Sequence, residues 1–589
     1  MRLGIDTGGT FTDLVDDTGR VVKVPSTPDD PARAVRTAVG EVADGDKRPA
    51  LLAHGTTVAT NALLERRLGR VALVTNRGFA DLIEIARQAR PSLYDLHADR
   101  PVPLVPRAWR HEVSGRLDGR GGELEPFDGV LPALAPDVES VAVCLLHSDL
   151  DASHEREVAA AFAMRGVDAV CSVDVSPEFR EYERMVTTVA DAALRPVCGA
   201  YLDDLRELAD EVLVMTSAGG LVPVTEAAAH PAHLLLSGPA GGVQAAAAVA
   251  DACGFPDAVA FDMGGTSTDV CLILDGAPAP AAAHTVGGFP IRLPSLAVHT
   301  IGAGGGSIAA LDPGGALTVG PRSAGAGGPA AYGHGGTEPT VTDADLVLGR
   351  IPAEPPAPGP RSPRRRRRAR AALARAGVRR RCGRGGRRDD GTGGPRRHPW
   401  NRVSIRGLAL VAFGGAGPLH ACWSPALGMR TVLVPARAGV FSAVGLVGSP
   451  RRRELVRSWT GNGDLAAALA ELAERARLSV GATGDTVVET FVDCRYHGQS
   501  HELTVPSVGD FAAAHARHNG YTRDVEVEVV ALRARASRPA PLVITELPAP
   551  VRDTVVGPAV AAEADCTMWV PAGWVARPGP TGAWVVTRA

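Results

Sequence analysis

Gly4-Ile5-Asp6-Thr7-Gly8-Gly9-Thr10-Phe11-Thr12-Asp13 and Phe261-Asp262-Met263-Gly264-Gly265-Thr266-Ser267-Thr268-Asp269 share one local grammar, 256 residues apart. In each, an apolar run ends on an aspartate, small residues make a tight turn, and a second aspartate follows. Such a turn lets backbone N–H groups and threonine hydroxyls surround phosphate oxygens while the first carboxylate holds a hydrated Mg²⁺. Alone, a glycine turn after a strand is common. Its independent repetition is not, and neither copy is a Walker loop, since no Gly-Lys-Ser/Thr follows, or a GxGxxG dinucleotide turn. The pair therefore predicts two lobes that open alike and clamp the phosphates of a nucleotide from both sides. Asp6 and Asp262 are the expected catalytic and Mg²⁺-binding acids, directly or through water. Thr7, Gly8, Gly9, Thr10 and Thr12 from one turn, and Gly264, Gly265, Thr266 and Thr268 from the other, are the expected phosphate contacts.

Between these points strands alternate with helices, the pattern of α/β layers. Leu51 to Ala53, Val71 to Thr75 and Val141 to Leu146 read as buried strands, and helices are expected at 31–42, 57–67 and 154–165. A chain of 589 residues exceeds one compact core. The boundaries expected are an N-terminal lobe at 1–176, an interlobe helix at 177–200, a second lobe at 201–460 and a small C-terminal α+β domain at 461–589. Leu408 to Phe413 reads as a further strand, and in Phe413-Gly414-Gly415-Ala416-Gly417 the glycines Gly414, Gly415 and Gly417 would let the backbone pass close to adenine or ribose.

These three motifs, in this order, resemble the phosphate-1, phosphate-2 and adenosine motifs of the actin/Hsp70/sugar-kinase superfamily. The resemblance implies two ribonuclease-H-like lobes with ATP and Mg²⁺ in the cleft. Within that superfamily, His54-Gly55-Thr56-Thr57-Val58-Ala59-Thr60-Asn61 is similar to a signature of the hydantoinase/5-oxoprolinase A family. So are the stretches 177–184, 237–242, 301–307 and 335–344, and Arg495-Tyr496 followed by Gly498-Gln499-Ser500. The implied activity is ATP-dependent hydrolysis of a cyclic amide through phosphorylation of its carbonyl oxygen, with a separate hydantoinase B-type subunit as partner. A ketone-carboxylase subunit is the alternative, and the inactive product of a damaged gene a third. His54 joins the expected catalytic residues, and Gly304 and Gly305 the expected ATP contacts. Stretches 177–184 and 237–242 read equally well as interlobe structure and a helix entry.

Composition narrows the classes. The net charge is −3, although residues 361–400 hold sixteen arginines against two acids. The remainder is strongly acidic, which argues against nucleic-acid binding. Nine scattered cysteines contain no CxxC pair, so neither a zinc site nor a disulfide framework is expected. No apolar run reaches membrane-spanning length and no leader is apparent, so a cytoplasmic enzyme is expected. Lysine occurs only at Lys23 and Lys47 against sixty arginines, a sign of GC-rich coding DNA. Residues 352–405, crowded with Arg, Gly, Pro and Ala, read as an out-of-frame translation of such DNA and are expected to be disordered. Any helix within 364–376 should be solvated, and the apolar face of the strand at Leu408 to Phe413 should be left uncovered.

Overall fold

The computed structural model describes residues 1–27, 29–43, 47–95, 97–325, 328–352, 367–369, 371–372, 405–421 and 428–589. Its first lobe begins with the antiparallel hairpin Arg2–Thr7/Phe11–Asp16, to which Val21–Pro25 adds on one side. On the other side Leu51–Thr56 pairs parallel to Arg2–Thr7, and Val212–Met215 parallel to Leu51–Thr56. The second lobe repeats this order. The hairpin Ala258–Met263/Thr268–Leu274 is flanked by Ala409–Phe413 in parallel, and that strand by Thr431–Val434 in parallel. The shared sequence grammar thus marks a shared strand order. All six residues of Leu51–Thr56 are buried, as are the five of Ala409–Phe413, which accounts for their apolar runs rather than an alternating pattern.

The first lobe carries an additional four-stranded parallel sheet, Asp168–Cys171, Ser140–Val143, Val71–Asn76 and Arg110–Val113, with its own core around Val74, Val143 and Phe162. The helix expected between the lobes runs Glu181–Asp203 and is buried along most of its length in the first lobe's core. Its entry is tied to the C-terminal part through a buried ion network. Arg292 pairs with Glu178 at 2.6 Å and Glu502 at 2.8 Å, and Arg533 with Asp493 at 2.8 Å.

Two helices join the lobes, Gly238–Ala252 and Phe441–Val447. They cross glycine on glycine, since a Cβ on Gly445 would overlap the carbonyl of Gly241, and one on Gly241 would lie 3.0 Å from the Ser442 carbonyl oxygen. The stretch 237–242 is therefore a helix entry shaped for close packing. The Phe441–Val447 helix also lies under the first lobe's sheet, where Gly4 makes room for its Ala443 carbonyl.

The C-terminal residues are α+β, with a core of Leu472, Val492, Tyr496, Phe511 and Leu532. Their strands are shared between both lobes. Arg451–Ser458, Val527–Arg538, Val487–Tyr496 and Leu503–Val505 extend the first sheet to ten strands, while Trp584–Arg588, Trp574–Pro578 and Val555–Val556 extend the second to nine.

Two expectations about the arginine-rich stretch are corrected. Residues 367–369 and 371–372 are helical, and Ala369 and Ala372 are fully buried, Ala369 packing with Ala331 and Leu346. Alanine's small side chain lets this turn of helix seat on the lobe. Leu408 to Phe413 are also buried throughout, so no uncovered apolar face is present on that strand. Residues 353–366, 370 and 373–404 of the expected disordered stretch lie outside the described residues. The seven described cysteines are free, and no described helix is long and apolar enough to cross a membrane.

Candidate active site

Strand register places the acids. In the first lobe Gly55, Asp6, Asp13 and Lys23 stand opposite one another across four neighbouring strands; in the second, Phe413, Asp262, Asp269 and Thr300 do the same. Residues directly opposite across antiparallel strands share a sheet face. Each turn is closed by one backbone bond of 3.0 Å, from Gly8 N–H to the Phe11 carbonyl and from Gly264 N–H to the Ser267 carbonyl. Gly9, Thr10, Gly265 and Thr266 at the tips are exposed, with their amides and hydroxyls open to a ligand. Thr12 and Thr268 are instead buried and engaged. The Thr12 hydroxyl shares a hydrogen bond with that of Ser26 at 3.1 Å, and Thr268 donates to the Ala303 carbonyl. These two brace the turns, because they lie one pleat back from the tips, and only the tip residues leave their polar groups open.

Three of the four carboxylates, Asp6, Asp13 and Asp262, act on one another across the lobes. Burial raises Asp6 well above the usual carboxylate range, and the charges of Asp13 and Asp262 raise it further, with Lys23 opposing. Asp262 is pushed up to about 7 by burial, then by Asp269 and, across the cleft, by Asp13, with the Ser442 hydroxyl opposing. Burial likewise raises Asp13 and Asp269, opposed by Lys23 and by Thr300 respectively. The Asp6 Oδ1 atom is buried with no hydrogen-bond partner among the described residues. Converging, mutually repelling carboxylates with an unpaired oxygen suit a divalent cation with oxygen ligands, so the residues fit Mg²⁺.

The expected adenosine motif reaches the same place from behind. Gly414, at φ +81°, rests on Asp262, and any Cβ there would meet that carboxylate. Its N–H donates to the Ala438 carbonyl at 2.8 Å, and Ala416 N–H to that of Met263 at 2.8 Å. Gly415 is exposed, and Gly417 is buried beneath it. Gly304 and Gly305 lie at the site but face away from it. Both are buried behind the second turn, where Gly305 N–H donates to the Gly264 carbonyl at 3.0 Å and a Cβ on Gly304 would lie 2.6 Å from Gly265. A third layer supports them, with Thr342 N–H and hydroxyl each donating to the Gly305 carbonyl at 2.8 Å. The Val341–Leu348 helix is in turn fixed by a Thr340–Asp343 capping box.

His54 does not face the cleft. It is fully buried; Nδ1–H donates to the Ile5 carbonyl at 3.1 Å, and Nε2 accepts from the Tyr201 hydroxyl at 2.5 Å. Burial lowers its pKa to about 4. A neutral imidazole with both nitrogens occupied holds the strand beneath Asp6, so the expected catalytic role becomes a supporting one. Ser442 and Lys23 are the site residues that the motifs did not reveal. Ser442 donates from the junction helix to Asp262 Oδ2 at 3.3 Å. The glycines of Gly439-Val440-Phe441-Ser442-Ala443-Val444-Gly445, spaced for close packing, were the available signal for it.

Comparison with known proteins agrees with this architecture. The hydantoinase/oxoprolinase N-terminal region model matches residues 2–165, and the hydantoinase/oxoprolinase model matches 184–379 and 400–454. The chain belongs to the hydantoinase/oxoprolinase family. The interruption in the family match, 380–399, is narrower than the stretch 352–405 singled out by composition. Among relatives, the caprolactamase subunit alpha of Pseudomonas jessenii is 35% identical over 86% of this chain and 80% of its own. The 5-oxoprolinase 1 of Arabidopsis thaliana is 33% identical over 76% of this chain but only 41% of its own. The acetophenone carboxylase gamma subunit of Aromatoleum aromaticum is 34% identical over 59% of this chain and 53% of its own. The crystal structure of ATP-dependent caprolactamase from Pseudomonas jessenii superposes with a TM-score of 0.81 at 28% identity, covering 100% of both chains. A nucleotide-free acetone carboxylase structure shares the fold at a TM-score of 0.72 and 21% identity.

Proposed function

We propose that this chain is the ATP-using A-type subunit of an enzyme that opens a cyclic amide, acting with a separate B-type subunit. The observation that carries this is the confrontation of the two Asp-x-Gly-Gly-Thr hairpins, whose carboxylates act on one another across the cleft. The caprolactamase and 5-oxoprolinase relatives supply the substrate class.

Amide resonance makes a lactam carbonyl a poor electrophile, and its oxygen the nucleophilic end. That oxygen attacks the γ-phosphorus of ATP; the new O–P bond forms as the bond to the bridging oxygen breaks, and ADP leaves with the electron pair. The nitrogen then gives its proton to solvent, leaving an imidate phosphate; water adds at its carbon, the C–N bond breaks as the protonated nitrogen leaves, and a second water at the same carbon of the resulting acyl phosphate releases phosphate with the original carbonyl oxygen. Asp6 and Asp262 would hold Mg²⁺, which when bound neutralises phosphate charge. The tip amides with Thr10 and Thr266 position the γ-phosphoryl group, and Gly414 and Gly415 admit the adenosine. Such transfer depends chiefly on positioning and charge stabilisation.

The test is isotopic. With the B-type partner, ATP and a lactam labelled with ¹⁸O in its carbonyl, the label should appear in the inorganic phosphate released. Unlabelled phosphate alongside ring opening would reject carbonyl phosphorylation. The acetophenone carboxylase relative supports a second reading, phosphorylation of a ketone enolate ahead of carboxylation. Bicarbonate-dependent ATP turnover with a ketone, and none with a lactam, would favour it.

A further inference from the structure

The two hairpins share the frame Asp-x-Gly-Gly-Thr-x-Thr-Asp but differ in what the neighbouring strand sets beside the second aspartate. Opposite Asp269 stands Thr300, whose hydroxyl donates to the Asp269 carboxylate at 2.5 Å. Opposite Asp13, at the equivalent place in the first lobe, stands Lys23, whose ammonium pairs with Asp13 Oδ1 at 2.5 Å. Its charge also reaches Asp6, one strand further in. Among the described residues Lys23 is thus the cation placed in the row of acids that lines the cleft. Its side chain is 35% exposed, against 16% for Asp13, so the ammonium sits on the open side of the pair. Its ammonium nitrogen also lies over the Phe11 ring, 5.0 Å from the centroid, which steadies the side chain on the flank of the first turn.

Composition sharpens the observation. The chain has sixty arginines and two lysines, and one of the two occupies this position. An ammonium is a compact point charge on a flexible stem, able to leave one oxygen for another, whereas a guanidinium is a broad planar fork. A salt bridge to Asp13 leaves ammonium protons over for another acceptor.

We infer that Lys23 is a catalytic residue that contacts the γ-phosphoryl group of ATP and stabilises the negative charge spread over its oxygens during transfer. This rests on the ATP reading above and assigns within it a group that the three nucleotide motifs do not contain. Lys23 stays protonated throughout; it neither gives nor takes a proton, and the bonds made and broken are those already described. In the absence of nucleotide Asp13 holds the ammonium beside the turn.

Binding and turnover test this separately. Equilibrium binding of Mg·ADP and of the imido analogue Mg·AMPPNP is measured for the wild type, Lys23→Met and the double variant Lys23→Met/Asp13→Asn, and ATP turnover with the B-type partner is measured alongside. Expected are wild-type-like ADP affinity in Lys23→Met, which also reports an intact fold, loss of the preference for AMPPNP over ADP, and a fall in kcat of about 100-fold. If Lys23 serves only to offset Asp13, removing both charges restores the AMPPNP preference, and the inference is overturned. Retained AMPPNP preference and kcat in Lys23→Met overturn it as well, while leaving the ATP reading standing. A wild type that binds neither nucleotide overturns the ATP reading and this inference with it.

Discussion

Asp262 shows what the site costs the fold at the scale of single residues. Its carboxylate is held above its ordinary range by burial and by like charges, so the ionised form is disfavoured in the folded protein without a cation. Asp262→Asn removes that repulsion at nearly constant shape. It should abolish ATP turnover while holding or raising the thermal midpoint, a trade expected where function keeps a strained group. Turnover at the wild-type rate in a folded Asp262→Asn protein would show that the acid is not part of the chemistry. His54 works in the opposite sense. Its folded pKa of about 4 lies below the unfolded value, so its contribution to stability is present above the unfolded pKa and lost as pH falls towards 4. Between pH 7 and pH 5 the loss from this group should be about 2 kcal/mol, and His54→Gln should flatten the profile by that amount in urea unfolding. An unchanged slope would mean that His54 is not neutral in the folded state. The paired aspartates were legible in the sequence because a motif fixes its own spacing. The orientation of His54 was not, because a histidine beside a glycine turn looks the same whether its ring points into the cleft or under the sheet.

Among the elements, the short loop before the Phe441–Val447 helix is where distant parts of the chain meet. Arg437, at φ +57°, donates to the Gly19 carbonyl of the first lobe at 2.8 Å. Ala438 accepts from Gly414, and Gly439 N–H donates at 2.8 Å to Asp565 Oδ2, in the turn of the C-terminal hairpin Ala559–Ala562/Thr567–Val570. A Cβ on Gly439 would overlap the Asp565 backbone, so the hairpin turn is seated directly on the loop. The helix that follows delivers Ser442 to Asp262. Asp565→Ala should therefore lower kcat with little change in the KM for ATP. Asp565→Asn, which keeps an acceptor for Gly439, should recover most of it. Because Asp565→Ala would act by displacing the helix that delivers Ser442 to Asp262, Asp565→Ala and Ser442→Ala should combine less than additively in a double-mutant cycle. Full additivity would detach the hairpin from the site. The sequence shows the strand–turn–helix order on each side but sets residues 461–589 apart as a small domain, whereas their strands extend both sheets. Strand pairing between segments more than 200 residues apart, such as Leu221 with Arg451, leaves no local periodicity to read. The burial of Ala369 was missed for a related reason, since an arginine-rich composition hides a single small apolar face.

Across the whole molecule, one strand order is built twice, the lobes are pinned by a glycine-on-glycine helix crossing, and the final strands are divided between both sheets. All of this frames the cleft between the two hairpins. For the water attack on carbon proposed above, the described residues outside the cleft offer little: the metal-type ligands grouped there, Glu563, Asp565 and Cys566, are already engaged, with Glu563 on Arg552 and Asp565 on Gly439. The chain also corresponds to only 41% of the Arabidopsis 5-oxoprolinase it matches, which leaves most of that protein's length for other work. The expected outcome is that the purified chain binds Mg·ATP yet opens ε-caprolactam, hydantoin or 5-oxoproline slowly or not at all, and that adding a B-type subunit raises ring opening by at least about 100-fold. Chromatographic assay of the ring-opened amino acid, run on each subunit alone and on the mixture, decides it. Ring opening by this chain alone at the rate of the mixture would place the entire reaction in the cleft between the two hairpins and remove the need for a partner.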